Sequence, residues 1–352
     1  MNIAFDRTQD APSLEALERH ISAASEALRA GQHGDGHWCF ELEADVTIPA
    51  EYVLLRHFRG EEPNLELERL IAIYIRRIQG DHGGWPLFHA GAFDMSASVK
   101  AYFALKMIGD DPQAPHLRRA REAILARGGA ARSNVFTRAL LALYGAIPWS
   151  SVPTMPVEIM LLPRWFPFHL DKISYWARTV LVPLMVLQAL KPRPANPRGV
   201  EIAELFVAPP ETVRDWPTGA HQTWASTKFF GAIDRVLKLA QPVFPRSTRR
   251  HAIDVAVTFV TERLNGGDGL GAIYPAMANA VLMYDALNYP PDHPDLVTAR
   301  RSIEKLLVVG KDEAYCQPCL SPVWDTALTA HALLEAGAVS AVSHTGDKHG
   351  WQ

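Results

Sequence analysis

Tyr74-Ile75-Arg76-Arg77-Ile78-Gln79-Gly80-Asp81-His82-Gly83-Gly84-Trp85 is the stretch that decides how this chain folds. The apolar residues Leu67, Leu70, Ile71, Tyr74, Ile75 and Ile78 recur at helical spacing and run into Gln79, after which glycines lead to Trp85. A glutamine at a helix end can hydrogen-bond backbone groups left open there. The glycines permit positive φ, and a Trp ring stacked beside the glutamine fixes the turn into the next helix. An earlier copy has Leu28, Gln32, Gly36 and Trp38, with the same Gln-to-Trp separation of six residues. A degenerate third copy runs from Phe259-Val260 through Leu264 to Gly269-Leu270, with leucines standing for both Gln and Trp. A turn repeated with equal internal spacing clamps helix pairs side by side.

Outward from these turns the period stays helical. Leu14, Leu17, Ile21, Ala24 and Leu28 share one stripe, as do Val99, Tyr102, Phe103 and Met107. Further helices are predicted over Thr137–Tyr144, Ile173–Leu190, Trp224–Leu239, Ala252–Leu264, Ala276–Leu287 and Ala327–Glu335. Breakers separate them at Gly31–Gly36, Gly80–Gly84, Pro148–Pro156, Pro192–Pro197 and Gly266–Gly269. Few segments alternate like strands, so the fold class is all-α. The segment Lys191–Gly219, with Pro192, Pro194, Pro197, Pro209, Pro210 and Pro217, cannot be one helix and reads as a surface loop or linker between two runs of helices.

The chain has 352 residues, 48% hydrophobic, with 35 basic and 38 acidic side chains and a formal charge of −3. That length suits two domains or one large helical one, and the apolar share is ample for a core. The near-neutral balance lacks the basic stripe of a nucleic-acid binder. Cys39, Cys316 and Cys319 cannot build a disulfide framework, which points to a reducing compartment. Met1–Ser13 has no signal-peptide core. The longest apolar stretch, Thr179–Leu190, is broken by Pro183 and falls short of the about 20 residues that cross a bilayer, which leaves room for a protein lying on one leaflet.

The repeat resembles the QW repeat of the triterpene cyclases, and the chain as a whole resembles a squalene–hopene cyclase. Ala50-Glu51-Tyr52-Val53-Leu54-Leu55, Ala101–Lys106, Val135-Phe136-Thr137-Arg138, Trp176-Ala177-Arg178-Thr179 and Ser321-Pro322-Val323-Trp324-Asp325-Thr326 are similar to that family and occur in its order. The resemblance implies α/α barrels of the terpene cyclase and prenyltransferase type. Residues 1–50, with the first repeat, would belong to a second, incomplete barrel; 51–338 would form the N-terminal type of barrel; 339–352 are a divergent tail. It implies an apolar cavity in which squalene, or a similar polyprenyl hydrocarbon, is protonated at a terminal alkene and cyclised through carbocations to hopene or hopanol. Aromatic faces stabilise such cations. The family's acid is an aspartate of an Asp-x-Asp-Asp motif, which this sequence does not contain: Asp110-Asp111 and Asp292-His293-Pro294-Asp295 read as turns. The chain is thus expected to match the N-terminal half of a cyclase, with no catalytic acid of its own and a complementary acid-bearing half as partner. Its exposed inter-barrel face would favour association.

Site residues follow from the same resemblance. Trp176, Trp324 and Phe136 match cavity aromatics, with core packing the alternative for Trp176 and Phe136. Asp325 matches a hydrogen-bonding neighbour of Trp324, or else caps a helix from Ala327. Glu51 matches a carboxylate in a polar network where the cascade ends, with surface exposure the alternative. Tyr274, before Pro275, stands where the family usually has a glutamine that holds the quenching water. Lys100 replaces a glutamate common in some members and is expected to point away or to pair with Glu51. The family's monotopic membrane contact, peripheral on the cytoplasmic side, suggests Trp224–Phe244, where Phe229, Phe230, Ile233, Val236, Leu237, Leu239 and Phe244 accompany Lys228, Arg235 and Lys238. The alternative is an ordinary barrel helix. The apolar segment Met160–Phe168 is expected to share that contact. No cofactor is implied and no metal: Cys316-Gln317-Pro318-Cys319 lacks a second pair, there is no phosphate loop, and the zinc trio of a prenyltransferase is not found. The rival reading is a non-catalytic helical remnant that binds lipid or a partner.

Overall fold

The computed structural model describes residues 13–43, 45–213, 216–217, 224–240 and 244–337. The tail 339–352 lies outside them, as do the side chains of Trp224, Phe229 and Phe230. Two compact units emerge, one formed by the residues up to Glu41 together with those from Leu320 onward, the other by Leu42–Cys319.

In the first unit α1 (Leu14–Ala30) meets the last helix of the chain, Pro322–Glu335. Ser13 caps α1 by accepting from the Ala16 amide at 3.2 Å. Trp38 and Leu333 are fully buried with Leu28 packed on them. The Trp38 amide donates to the Thr326 hydroxyl at 2.9 Å, which in turn donates to the Trp38 carbonyl at 3.2 Å.

The second unit carries α2 (Thr47–Arg59), α3 (Leu65–Arg77), α4 (Met95–Ile108), α5 (Pro115–Ala126), α6 (Val135–Leu143), α7 (Tyr175–Leu190), α8 (Trp224–Ala240), α9 (Arg246–Thr261), α10 (Tyr274–Ala286) and α11 (Pro294–Glu304). A short antiparallel hairpin, β1 (Leu307–Val309) and β2 (Ala314–Cys316), pairs Val308 with Tyr315. The Pro322–Glu335 helix of the first unit is α12. Asn64, Asp94, Asn134 and Ser174 each accept from the backbone amide three residues on and so start α3, α4, α6 and α7. Burial sorts the helices into layers. α4 is buried from Ser96 to Leu105 and at Met107, and α10 is buried on nearly every side. Helices apolar all round belong inside. α5, α9 and α11 instead bury single stripes, such as Leu117, Ala120, Ala123 and Ile124 of α5, and turn arginines outward. An inner and an outer layer of helices, with a two-stranded hairpin as the only sheet among the described residues, is the all-α toroid arrangement.

The repeated turn is tied by hydrogen bonds. Gln79 Nε2 donates to the Gly83 carbonyl at 2.6 Å and the His116 carbonyl at 2.9 Å, and Trp85 Nε1 donates to the Ile75 carbonyl at 2.7 Å. In the first unit Gln32 Nε2 reaches the Gly36 carbonyl at 2.8 Å and Trp38 Nε1 the Leu28 carbonyl at 2.6 Å. Each indole thus satisfies a carbonyl in the last turn of the preceding helix. Gly83 sits at φ 86°, where a Cβ would meet the Arg119 carbonyl at 3.0 Å.

The proline-rich segment is a loop, as expected, but it is no free linker over its described part. Ala195 and Asn196 amides donate to the Phe58 and His57 carbonyls at 2.8 and 3.1 Å. Arg198 Nη1 donates to the Met107 and Ile108 carbonyls at 2.6 and 2.8 Å. Ile202 and Leu205 are buried. The segment supplies donors to the open carbonyls at the ends of α2 and α4, which is why it cannot swing away.

Candidate functional site

Four helices of the second unit aim one stripe each at a common cavity of about 340 Å³. α2 contributes Ile48, Glu51, Leu55 and Phe58; α6 contributes Phe136, Ala139, Leu140 and Leu143; α7 contributes Val180 and Leu184; α10 contributes Pro275, Ala278, Asn279 and Leu282. The three-and-four spacing within each set is what turns separate sequence stripes into one wall. Leu87, Lys100, Asn134, Tyr144 and Tyr274 complete most of the rest. Phe58 and Tyr144 meet edge to face at 5.6 Å, so the wall has aromatic character beyond Phe136.

The start of α10 is held firmly. Tyr274 N donates to the Pro318 carbonyl at 2.8 Å, and Asn279 Nδ2 donates to the Val180 carbonyl of α7 at 3.2 Å. Gly271 has φ 65°, and a Cβ there would lie 2.6 Å from the Thr179 hydroxyl, so only glycine lets this turn close on α7.

Polar groups are few and mostly matched. Lys100, only 6% exposed, donates from Nζ to Glu51 Oε1 at 2.5 Å. Of the two alternatives for Lys100, pointing away or pairing with Glu51, this is the second, and it makes Glu51 half of an ion pair rather than a surface carboxylate. An ammonium so far from water is tolerable only beside a carboxylate. The other wall carboxylate, Asp45, accepts from the Thr47 amide and hydroxyl, both at 2.6 Å. Tyr144 donates to the Leu54 carbonyl at 2.5 Å. Tyr274 is fully buried, and its hydroxyl has no hydrogen-bond partner. Burial first, and the Glu51 charge second, hold that phenol far above its ordinary pKa, so it stays a neutral donor. Burial also raises the nearby Cys316 thiol, with Glu51 again the charge that adds to it.

Of the residues singled out in the sequence, Glu51, Phe136, Tyr274 and Pro275 meet in this cavity. Trp176 stands on α7, 61% exposed and outside the lining. Trp324 and Asp325 belong to the other unit, Trp324 66% exposed. Asp325 does not cap a helix from Ala327, because α12 already begins at Pro322; its carboxylate accepts from the Phe40 amide at 2.8 Å and the Ser321 hydroxyl at 3.1 Å. Phe58, Tyr144 and Asn279 were not anticipated. The signal for Phe58 was present in the stripe that Glu51 shares with it on α2. Such a chamber can hold an apolar chain and offer ring faces to positive charge.

Comparison with known proteins agrees with this geometry. Residues 21–312 match the squalene-hopene cyclase N-terminal domain. The chain is 60% identical over 336 residues to a squalene–hopene cyclase of Bradyrhizobium diazoefficiens, covering 96% of this chain and 51% of that protein. It is 58% identical to one from Zymomonas mobilis, over 94% of this chain and 52% of the relative. With one from Alicyclobacillus acidocaldarius it shares 32%, over 92% and 50%. The chain spans about half the length of the curated relatives it matches. A helical toroid, the paired Gln–Trp turns, an apolar aromatic chamber and a domain match over residues 21–312 converge on one assignment: this chain belongs to the squalene–hopene cyclase family.

Proposed function

We propose that this chain forms the chamber wall of a squalene–hopene cyclase and serves in the cyclisation of squalene to hopene or hopanol, a step of hopanoid biosynthesis. The observation that carries this is the cavity itself, with aliphatic and aromatic stripes from four helices and one internally neutralised ion pair. Protonation of an alkene needs a strong, dry acid. Both wall carboxylates are engaged, Glu51 by Lys100 and Asp45 by Thr47, and the sequence has no Asp-x-Asp-Asp. In this reading the acid comes from a complementary acid-bearing half, and the chain here binds and folds the substrate, excludes water and stabilises the passing cation. The purified chain incubated with squalene in mild detergent is expected to yield no pentacyclic product by gas chromatography–mass spectrometry. Product is expected once the acid-bearing half is added. Turnover by this chain alone would show that one of its own groups is the acid, and inactivity of the mixture would favour the non-catalytic lipid-binding alternative.

The proposal includes attachment to one leaflet of a membrane from the cytoplasmic side. No helix among the described residues is long and apolar enough to cross a membrane. α8 exposes Val236 and Leu239, the latter 80%, beside Arg235 and Lys238, and Trp165 is 77% exposed in the apolar segment Met160–Phe168. Exposed aliphatic residues flanked by cations suit an interfacial helix. A Val236→Asp/Leu239→Asp variant is expected to lose most of its co-sedimentation with phosphatidylglycerol-containing vesicles while keeping its far-ultraviolet circular dichroism. Unchanged sedimentation would remove α8 from the contact.

A further inference from the structure

The first Gln–Trp turn carries two side chains that the second turn does without. His33 N donates to the His37 carbonyl at 2.9 Å, and Gly36 N donates to the His33 carbonyl at 2.9 Å. In the second turn the same two bonds run from Gly80 N to the Gly84 carbonyl and from Gly83 N to the Gly80 carbonyl, again at 2.9 Å. His33 and His37 therefore stand where the second turn has Gly80 and Gly84. Glycines close that turn with no side chain at all, so the fold does not account for the histidine pair.

The pair is arranged as a chelate half made. The two rings face each other with centroids 4.4 Å apart and planes within 5° of parallel. Asp35 Oδ1 lies 2.5 Å from His37 Nδ1, and this hydrogen bond holds the Asp35 carboxyl below its usual range. The carboxylate thus accepts the Nδ1 proton and leaves the His37 lone pair on Nε2. A carboxylate on the far nitrogen is the partner that fixes the tautomer and orientation of a metal-ligating histidine. On a tetrahedral zinc, with Zn–N bonds of about 2.0–2.1 Å, two imidazole nitrogens lie about 3.3 Å apart. Rings already stacked at 4.4 Å reach that separation by a small tilt. His33 is exposed and His37 half-buried, so an ion reaches them from solvent. No three ligating side chains converge among the described residues, which leaves the other positions of the ion to water.

We propose that His33 and His37 bind a divalent transition ion of the zinc class, with Asp35 as the residue that positions His37. Imidazole suits zinc, copper and nickel, whereas magnesium and calcium call for oxygen ligands. The ion cross-links the two edges of the turn whose Trp38 packs on Leu333. It therefore stabilises the first unit and takes no part in the cavity of the second.

The test is zinc uptake by the intact chain in mild detergent, read by competition with a chromophoric chelator and by thermal melting. His33→Gly/His37→Gly copies the second turn at both positions and is expected to keep the far-ultraviolet circular dichroism of wild type. Wild type is expected to hold one zinc equivalent that this variant lacks, and to show a rise in melting temperature on zinc addition that the variant does not. Nickel is expected to displace the zinc, and magnesium at the same concentration is not. Asp35→Asn should keep the stoichiometry and weaken affinity about tenfold, with Asp35→Glu recovering part of the loss. Equal zinc uptake by wild type and the double glycine variant overturns the proposal. Displacement by magnesium overturns it as well, because the ligands would then be oxygens. An Asp35→Asn chain that binds as tightly as wild type overturns the positioning role of Asp35.

Discussion

A Trp85→Ala variant is expected to lose about 3–5 kcal/mol, the usual cost of emptying a buried Trp site, and to melt roughly 5–10 °C below wild type in a calorimetric scan. Trp85 is fully buried and does two jobs at once. Its ring fills the space under the turn, and its Nε1 donates to the Ile75 carbonyl at 2.7 Å, one of the open carbonyls at the end of α3. Trp85→Phe separates the two contributions. It keeps most of the ring and orphans the carbonyl, so a loss of about 1–3 kcal/mol is expected from it. Should Phe prove as costly as Ala, the hydrogen bond rather than the packing would dominate the turn; if Phe is silent, the repeat is merely a packing device.

The second large effect is expected at Lys100. Lys100→Met leaves Glu51 in the chamber wall without its counter-charge, and breaking a buried pair from one side costs about 3–5 kcal/mol. Adding Glu51→Gln to the same chain removes the stranded charge, so the double variant is expected to recover most of the loss. The readout is a double-mutant cycle from denaturant midpoints. A double variant as unstable as Lys100→Met would mean that the lysine stem, not the ion pair, supports α4.

How much of this was legible beforehand varies with the physics behind each element. The Gln79–Trp85 turn was plain because glutamine, glycine and tryptophan are each demanded by a different local constraint, and the constraints recur at Gln32–Trp38. For Lys100 the sequence left two outcomes, pointing away or pairing with Glu51, because an unpaired amine beside a carbocation is unfavourable; the pairing is the one found. α5 and α11 escaped notice because each starts at a proline and buries only a narrow stripe under many charges, as with Leu296, Ala299 and Ile303 of α11. The β1–β2 hairpin is too short for alternation to register, its strands being three residues each. Glu51, Phe136, Tyr274 and Pro275 came together as a site because each lies on an inward stripe. Trp176 and Trp324 could not be placed that way, since side-chain chemistry says that an indole prefers burial but not which neighbour will provide it. The staple made by Arg198 was hidden for a different reason: it depends on carbonyls that every helix end leaves open and that no residue type announces.

The pairing of α1 with α12 sets an order of events during synthesis. Trp38 and Thr326 are 288 residues apart in sequence, yet they exchange two hydrogen bonds. At about 5–20 residues per second, the first Gln–Trp turn waits roughly 15–60 s for the helix that completes its core. Through that interval Leu28 and Trp38 lack Leu333, while the helices of the other unit are being made and begin to pack on one another. α1 is therefore made long before its partner, and the ribosome-bound intermediate carries it as an unfilled half of a pair. Such a species is a natural client for a chaperone that shields a single amphipathic helix.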